Sequence, residues 1–122
     1  MEAVSKGVQK AGGLTIGILP GMDANAGNKY LSLAIPTGLG QARNAIIAYA
    51  GQAVIAIGGS YGTLSEISLA RKAGRRVIGL ETWHAEEADG SLLDIEYAKD
   101  PEEAVRKSLG APSSSGKESR TQ

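Results

Sequence analysis

Residues 53–66 read Ala53-Val54-Ile55-Ala56-Ile57-Gly58-Gly59-Ser60-Tyr61-Gly62-Thr63-Leu64-Ser65-Glu66. The first five residues form an apolar run typical of a buried strand, and the residues from Thr63 onward have helical spacing. The order is therefore strand, glycine-rich turn and helix. The first turn of a helix has unpaired backbone N–H groups and a partial positive charge, and both favour a bound anion such as phosphate.

The same turn has a simpler explanation. Thr63 and Glu66 have the spacing of a capping box, in which a hydroxyl and a carboxylate satisfy the free N–H groups of a helix start. A cap alone does not require three glycines within five residues, whereas close approach of a ligand to the backbone favours glycine. The spacing matches neither the dinucleotide fingerprint nor the Walker pattern. A capped helix and a phosphate site both stay open on these residues alone.

The length and composition predict one globular domain with no net charge. The chain has 122 residues, of which 42% are hydrophobic, and its 13 basic and 13 acidic residues cancel. A net charge of zero gives no reason to expect nucleic acid or an anionic membrane as a partner. The absence of cysteine excludes disulfides and thiol chemistry and favours a cytoplasmic protein, and a single histidine makes a metal site unexpected.

Short apolar strands alternate with helices along the chain. Strands are predicted at residues 14–19, 30–35, 53–57 and 77–80, and helices at residues 1–11, 40–50, 63–73 and 101–109. This alternation predicts an α/β domain over residues 1–109, built on a doubly wound parallel sheet. The composition of residues 110–122 predicts a disordered tail.

Three predicted strand ends carry proline and glycine in unusual density: Pro20-Gly21, Pro36-Thr37-Gly38-Leu39-Gly40 and Gly58-Gly59-Ser60-Tyr61-Gly62. Ligands of such sheets bind beyond the carboxyl ends of the strands. Arg43 falls in the first turn of the following helix, where an exposed cation opposes the helix dipole by roughly 0.3–1 kcal/mol. A bound anion would make the position of Arg43 favourable, since arginine pairs well with phosphate or carboxylate. The alternatives for Arg43 are a solvated side chain or an ion pair with Glu66.

Two of these regions carry a family resemblance. Pro36-Thr37-Gly38-Leu39-Gly40-Gln41-Ala42-Arg43-Asn44 and the run from Gly58 to Glu66 resemble the LONELY GUY (LOG)-like Rossmann superfamily, many of whose members are labelled lysine decarboxylase-like. The resemblance covers residues 1 to about 109 and favours a bacterial branch that includes molybdenum-cofactor carrier proteins. It implies a Rossmann-like doubly wound sheet and a homodimer or homotetramer, with no lysine decarboxylase activity expected.

The resemblance also assigns residues. Enzymes of the superfamily cut nucleoside 5′-monophosphates into free base and ribose 5-phosphate, and Arg43 and Glu66 match positions implicated in that catalysis. The remaining expected ligand-binding residues are Gly58, Gly59, Ser60, Tyr61, Gly62, Thr63, Thr37, Gly38, Asn44, Pro20 and Gly21. Asn44 stands where the enzymes have lysine, and Ile57 stands where they have proline. Both departures are similar to the carrier branch.

The amino terminus departs further. Met1-Glu2-Ala3-Val4-Ser5-Lys6-Gly7 resembles a helix that family members enter only after a strand, a helix, a second strand and a glycine-rich loop. We therefore expect an amino-terminally truncated domain. Loss of neighbouring strands exposes sheet edges and apolar faces, which predicts self-association.

Three functions stay open at this point. The first is a binding module for a small phosphorylated ligand such as molybdopterin, with no other cofactor required. The second is a nucleoside 5′-monophosphate phosphoribohydrolase, in which Arg43 and backbone N–H groups hold the phosphate while Glu66 serves a ribose hydroxyl or the water. The third is a non-catalytic oligomeric remnant. Elsewhere, Trp83 is interpreted as a packing or interface residue and His84 as a surface residue.

Overall fold

The computed structural model describes residues 1–110. Except for Gly110, the tail predicted at residues 110–122 lies outside the described residues. The chain divides into two compact units, of which the first comprises residues 1–47 and the second begins at Ala48.

The first unit contains a two-stranded parallel sheet. Its elements are α1 (Glu2–Lys10), β1 (Ile16–Leu19), β2 (Leu33–Pro36), two short 3-10 turns (Ala24–Ala26 and Gly40–Ala42) and the start of α2 (Arg43–Ala50). Strands β1 and β2 pair in parallel, with Ile16 opposite Leu33 and Leu19 opposite Pro36. In α1 the buried residue is Ser5, whereas Val4 on the apolar stripe is exposed.

The second unit contains a three-stranded parallel sheet in the order β3-β4-β5. Its elements are β3 (Ala53–Gly58), α3 (Tyr61–Lys72), β4 (Arg76–Thr82), β5 (Glu96–Ala98) and α4 (Pro101–Ser108). Each strand pair is parallel, and a helix or a long loop supplies the crossover connection that parallel strands require. The predicted Rossmann-like α/β class is confirmed, and the elements begin within a few residues of their predicted positions.

The core of the second unit occupies both faces of its sheet. Val77 and Ile78 are adjacent in β4 and therefore point to opposite faces. Each belongs to a separate buried cluster: Val77 packs with Ala48, Val54, Ala56, Ile67 and Ala70, and Ile78 packs with Ala98 and Ala104. Alanine supplies three of the six residues in the first cluster and two of the three in the second, which lets the helices lie close to the strands.

An arginine–carboxylate pair joins the ends of β4 and β5. The Arg76 guanidinium donates to both carboxylate oxygens of Glu96, at 2.6 Å and 3.1 Å. This hydrogen bonding raises the pKa of Arg76. Both side chains are partly exposed, so we regard the pair as a geometric clamp on the strand register more than as a large source of stability.

Helix α4 begins with a reciprocal cap. The Asp100 carboxylate accepts a hydrogen bond from the Glu103 backbone N–H at 2.8 Å, and the Glu103 carboxylate accepts one from the Lys99 N–H at 2.8 Å. The hydrogen bond from Lys99 is the main reason that the pKa of Glu103 is lowered, and the nearby cationic side chains of Lys107, Lys99 and Arg106 add to it. Pro101 occupies the first helical turn, where its missing N–H costs nothing.

This cap predicts an acid-sensitive contribution to stability. Because the folded-state pKa of Glu103 lies below its ordinary value, the contribution is present above about pH 4.5 and is lost as the pH falls through the folded pKa. We expect Glu103→Gln to flatten the decline in unfolding free energy as the pH falls below about 4.5. Urea unfolding across this range, followed by Trp83 fluorescence, measures it. Glu102→Gln, in the same helical turn, is the matched control, and identical pH profiles for wild type and Glu103→Gln would contradict the assignment.

Candidate functional site

The glycine-rich turn places a capped helix start directly after β3. Gly58 has a φ of +86°, a backbone conformation that glycine adopts readily. Ser60 is the N-cap of α3: its hydroxyl accepts from the Thr63 N–H at 3.1 Å, and its carbonyl accepts from the Leu64 N–H at 3.2 Å. The expected capping box that begins at Thr63 is therefore wrong. The helix starts one turn earlier because Ser60 supplies the cap.

The cap leaves two backbone donors at the helix start. Tyr61 and Gly62 occupy the first two helical positions, where the helix itself offers no carbonyl to their N–H groups. Gly59 is uncrowded, since a Cβ built there would meet no other atom within 4 Å. Helix α3 is 12 residues long and contributes a partial positive charge at this end. The turn can therefore receive an anion against its backbone.

The carboxyl end of β4 braces this turn. Ile57 pairs with Leu80 and Gly58 pairs with Thr82, so Glu81 is an extra residue in β4, with a φ of +51°. This bulge brings the Thr82 hydroxyl to the Gly58 carbonyl at 2.5 Å. Two residues after Glu81, the Trp83 indole N–H donates to the Ser60 carbonyl at 2.9 Å.

The two side-chain donors hold the carbonyls of Gly58 and Ser60 and so fix the shape of the turn. Sequence reasoning did not assign Thr82 or Trp83 to the site. A bulge formed by a non-glycine residue leaves no pattern in the sequence, so no sequence signal could have identified them.

Aromatic side chains surround the same turn. The Tyr61 ring lies 5.6 Å from the Trp83 ring, centroid to centroid, with an angle of 33° between their planes. The Trp83 carbonyl accepts from the Tyr97 hydroxyl at 2.5 Å, and His84 stacks on Tyr97 at 4.3 Å. Burial raises the pKa of Tyr97. Trp83 packs against the core cluster that contains Val77, as its interpretation as a packing residue predicts, and His84 is exposed.

Four of the expected ligand-binding residues meet in the first unit, beyond the carboxyl ends of β1 and β2. Both the hydroxyl and the backbone N–H of Thr37 donate to the Leu19 carbonyl, at 2.7 Å and 3.1 Å. The Gly38 N–H donates to the Gly21 carbonyl at 2.8 Å, and the Gly40 N–H donates to the Pro20 carbonyl at 2.9 Å. These bonds join the two loops beyond the strand ends.

Arg43 is the first residue of α2 and is held at the end of β1. Its Nη1 donates to the Ile18 carbonyl at 3.0 Å, while its buried Nε has no hydrogen-bond partner among the described residues. The neighbouring Asn44 is buried, and its amide donates to the Gln41 side chain at 3.4 Å. Arg43 thus retains one unsatisfied donor at Nε, and its expected role as an anion ligand stays a prediction.

The expected site residues therefore form two groups, one in each unit. The first comprises Pro20, Gly21, Thr37, Gly38, Arg43 and Asn44, and the second comprises Gly58, Gly59, Ser60, Tyr61, Gly62, Thr63 and Glu66. Glu66 is half-buried and follows Gly62 by four residues, so the two lie on one face of α3. Within residues 1–110, no group of three or more His, Asp or Glu side chains is arranged to hold a metal ion. In the same range no helix has both the length and the apolar character needed to span a bilayer.

Comparison with other chains identifies relatives. An uncharacterized protein of Archaeoglobus fulgidus is 44% identical over 81 residues, which are 66% of this chain and 53% of that protein. The chain thus spans about half the length of this curated relative.

Solved structures are similar as well. The molybdenum cofactor binding protein of Rippkaea orientalis has a TM-score of 0.77 and 35% identity, over 90% of this chain and 69% of its own. The molybdenum cofactor carrier protein of Chlamydomonas reinhardtii has a TM-score of 0.71 and 32% identity, over 88% of this chain and 67% of its own.

A protein-family model described as the SLOG cluster4 family matches residues 1–105, which include both groups of expected site residues. The structural neighbours have the LOG-like fold that the two sequence motifs indicated. Because the family model extends over nearly all of the described chain, this protein belongs to the SLOG cluster4 family.

Proposed function

We propose that this chain binds a phosphorylated cofactor of the molybdopterin class and carries it without chemical change. The observation that carries the proposal is the start of α3, where the helix offers no carbonyl to the N–H groups of Tyr61 and Gly62, beside the uncrowded Gly59. A helix of 12 residues adds its dipole to these donors. In this proposal the phosphate lies against residues 58–63.

The class of ligand is supported by the relatives. The proteins from Rippkaea orientalis and Chlamydomonas reinhardtii are described as a molybdenum cofactor binding protein and a molybdenum cofactor carrier protein. Asn44 and Ile57, which differ from the superfamily's enzymes, are compatible with a carrier. In the first unit we propose Arg43 as an anion ligand, because its guanidinium is held in place by one bond and keeps further donors. Ligand contacts are also proposed for Pro20, Gly21, Thr37, Gly38 and Asn44.

The phosphate site predicts a specific effect of Gly59→Ala. The added methyl group meets no protein atom within 4 Å, and Gly59 is not among the glycines with positive φ, so the fold should tolerate it. The methyl would occupy the space that the phosphate needs, and loss of one charge-assisted hydrogen bond should weaken binding about tenfold or more. Isothermal titration calorimetry with inorganic phosphate and ribose 5-phosphate measures the change.

Gly7→Ala is the matched control. It adds the same methyl in open space on α1, away from the turn in sequence, and should leave binding unchanged. Melting temperatures of both variants at or above that of the wild type, without ligand, would show that neither disturbs the fold; Gly7→Ala should raise it slightly, because alanine favours the helix. Binding by Gly59→Ala equal to that of the wild type would contradict the proposed phosphate position.

Phosphoribohydrolase activity is the second candidate, and the position of Glu66 favours it. Glu66 lies four residues after Gly62 on the same face of α3, and helical side chains lean toward the amino end of their helix. Its carboxylate would therefore lie on the side of the proposed phosphate, where it could serve a ribose hydroxyl or a water during N-glycosidic cleavage.

This candidate predicts that Glu66→Gln abolishes release of free base from nucleoside 5′-monophosphates while nucleotide binding changes little. The amide keeps the size of the carboxylate but removes its charge and basicity. Chromatographic detection of adenine from adenosine 5′-monophosphate measures turnover, and calorimetry measures binding. Turnover by Glu66→Gln at the wild-type rate would eliminate this role, and intact nucleotide recovered from the wild type would favour the carrier.

We also propose that the chain forms homo-oligomers. The sheet of the first unit carries exposed apolar side chains, since Ile16 is 57% exposed, Leu33 54% and Ile35 40%. Contiguous apolar surface of this kind marks protein–protein contacts. A third function, assembly without catalysis, rests on the same surface.

Assembly predicts that light scattering gives a mass at least twice that of the 12.5 kDa chain. Replacing Ile16 and Leu33 together by threonine should shift the mass toward the monomer, because the change removes exposed apolar area. Threonine is β-branched and suits a strand, so the sheet should be retained. The pair Lys6→Thr and Lys10→Thr on α1 controls for two surface substitutions. A monodisperse wild-type monomer with a cooperative melt would disprove the proposal.

A further inference from the structure

Tyr61 presents a large aromatic surface at the start of α3. Tyr61 is the first residue of α3 and is 83% exposed. Exposure of a tyrosine ring to this degree forfeits the apolar contacts that a packed ring would make. The ring lies on the amino side of the helix, since the Cα–Cβ bonds of a helix tilt toward its amino end.

Trp83 fixes the position of this surface. Its indole N–H donates to the Ser60 carbonyl at 2.9 Å, and its own carbonyl accepts from the Tyr97 hydroxyl at 2.5 Å. Trp83 is half-buried against the core, so its ring is anchored at both the backbone and the side chain. The two rings are 5.6 Å apart, within the range of favourable aromatic pairs. Tyr61 therefore has one neighbour that restrains it and a large open area.

The exposed Tyr61 ring lies next to the proposed phosphate site. Tyr61 supplies both a backbone N–H of the helix start and the exposed ring. If the phosphate of a ligand lies against these N–H groups, a group joined to that phosphate by a short linker would contact the Tyr61 ring. Flat heterocycles stack favourably on tyrosine and tryptophan because both partners have extended π-surfaces.

We propose that Tyr61, restrained by Trp83, is a stacking platform for the planar heterocycle of the phosphorylated ligand. The platform selects ligands that contain both a phosphate and a flat ring, such as nucleoside monophosphates and pterin phosphates, over phosphorylated sugars alone. This inference rests on the proposed phosphate site and adds to it the recognition of the ring. Trp83 acts as a positioning residue through its contacts with Tyr61 and Ser60.

The test compares two probes that share the phosphorylated ribose and differ at C1′, where one carries adenine and the other a hydroxyl. Adenosine 5′-monophosphate and ribose 5-phosphate are titrated calorimetrically into the wild type, Tyr61→Ala, Tyr61→Phe and Tyr49→Ala. Tyr49 is a partly exposed tyrosine on α2 and controls for removal of an aromatic ring elsewhere. The chain has one tryptophan, so quenching of Trp83 emission by the nucleotide, and not by ribose 5-phosphate, is an independent reading at the site.

We expect Tyr61→Ala to weaken adenosine 5′-monophosphate binding about tenfold, since stacking on one aromatic ring supplies an effect of that order. Ribose 5-phosphate binding should not change, and Tyr61→Phe and Tyr49→Ala should resemble the wild type. Equal losses for both probes would overturn the platform, because Tyr61 would then act through the backbone of the turn. Unchanged nucleotide binding in Tyr61→Ala would overturn it as well.

The two proposals fail in different ways. If Gly59→Ala weakens ribose 5-phosphate binding while Tyr61→Ala changes neither probe, the phosphate site stands and the platform falls. If the wild type binds neither probe nor inorganic phosphate, the phosphate site falls and the platform falls with it.

Discussion

The register between β3 and β4 is the constraint on which the candidate site depends. The two strands pair in parallel from Ala53 opposite Arg76 to Ile57 opposite Leu80, and the register then shifts by one residue. That shift is absorbed by Glu81 at a φ of +51°. Without it, Thr82 would not face the Gly58 carbonyl, and the backbone leading to Trp83 would follow a different direction. The glycine-rich turn is therefore shaped by the neighbouring strand as much as by its own residues.

The hydrogen bonds that the turn already makes explain why its helix start favours an anion. The Gly58 and Ser60 carbonyls accept hydrogen bonds from Thr82 and Trp83, and the Ser60 hydroxyl accepts from Thr63. Three acceptors of the turn are thus occupied, whereas the helix offers no carbonyl to the first N–H groups at its start. A turn with excess donors at the positive end of a helix dipole attracts negative charge. The first unit has a related feature, because Arg43 is restrained by the Ile18 carbonyl while its Nε has no hydrogen-bond partner among the described residues.

Much of the fold could be predicted from local pattern. The apolar run at residues 53–57, the glycines after it and the helical spacing beyond them indicated strand, turn and helix, and the structure has all three. The start of α3 could not be predicted because Ser60 and Thr63 are both good N-cap residues separated by one turn. The buried position in α1 was also hidden, since Ser5 is the residue enclosed and Val4 is exposed. Local hydrophobicity cannot reveal which face meets a neighbour.

The amino-acid sequence by itself determined the α/β class, the strand–turn–helix order around the glycines and the family, because each depends on residues close together along the chain. Only the tertiary structure decided what surrounds the turn. The bonds from Thr82 to Gly58, from Trp83 to Ser60 and from Arg43 to Ile18 join residues separated by 24, 23 and 25 positions. Contacts at such separations follow from strand pairing and bulges, which local periodicity does not encode.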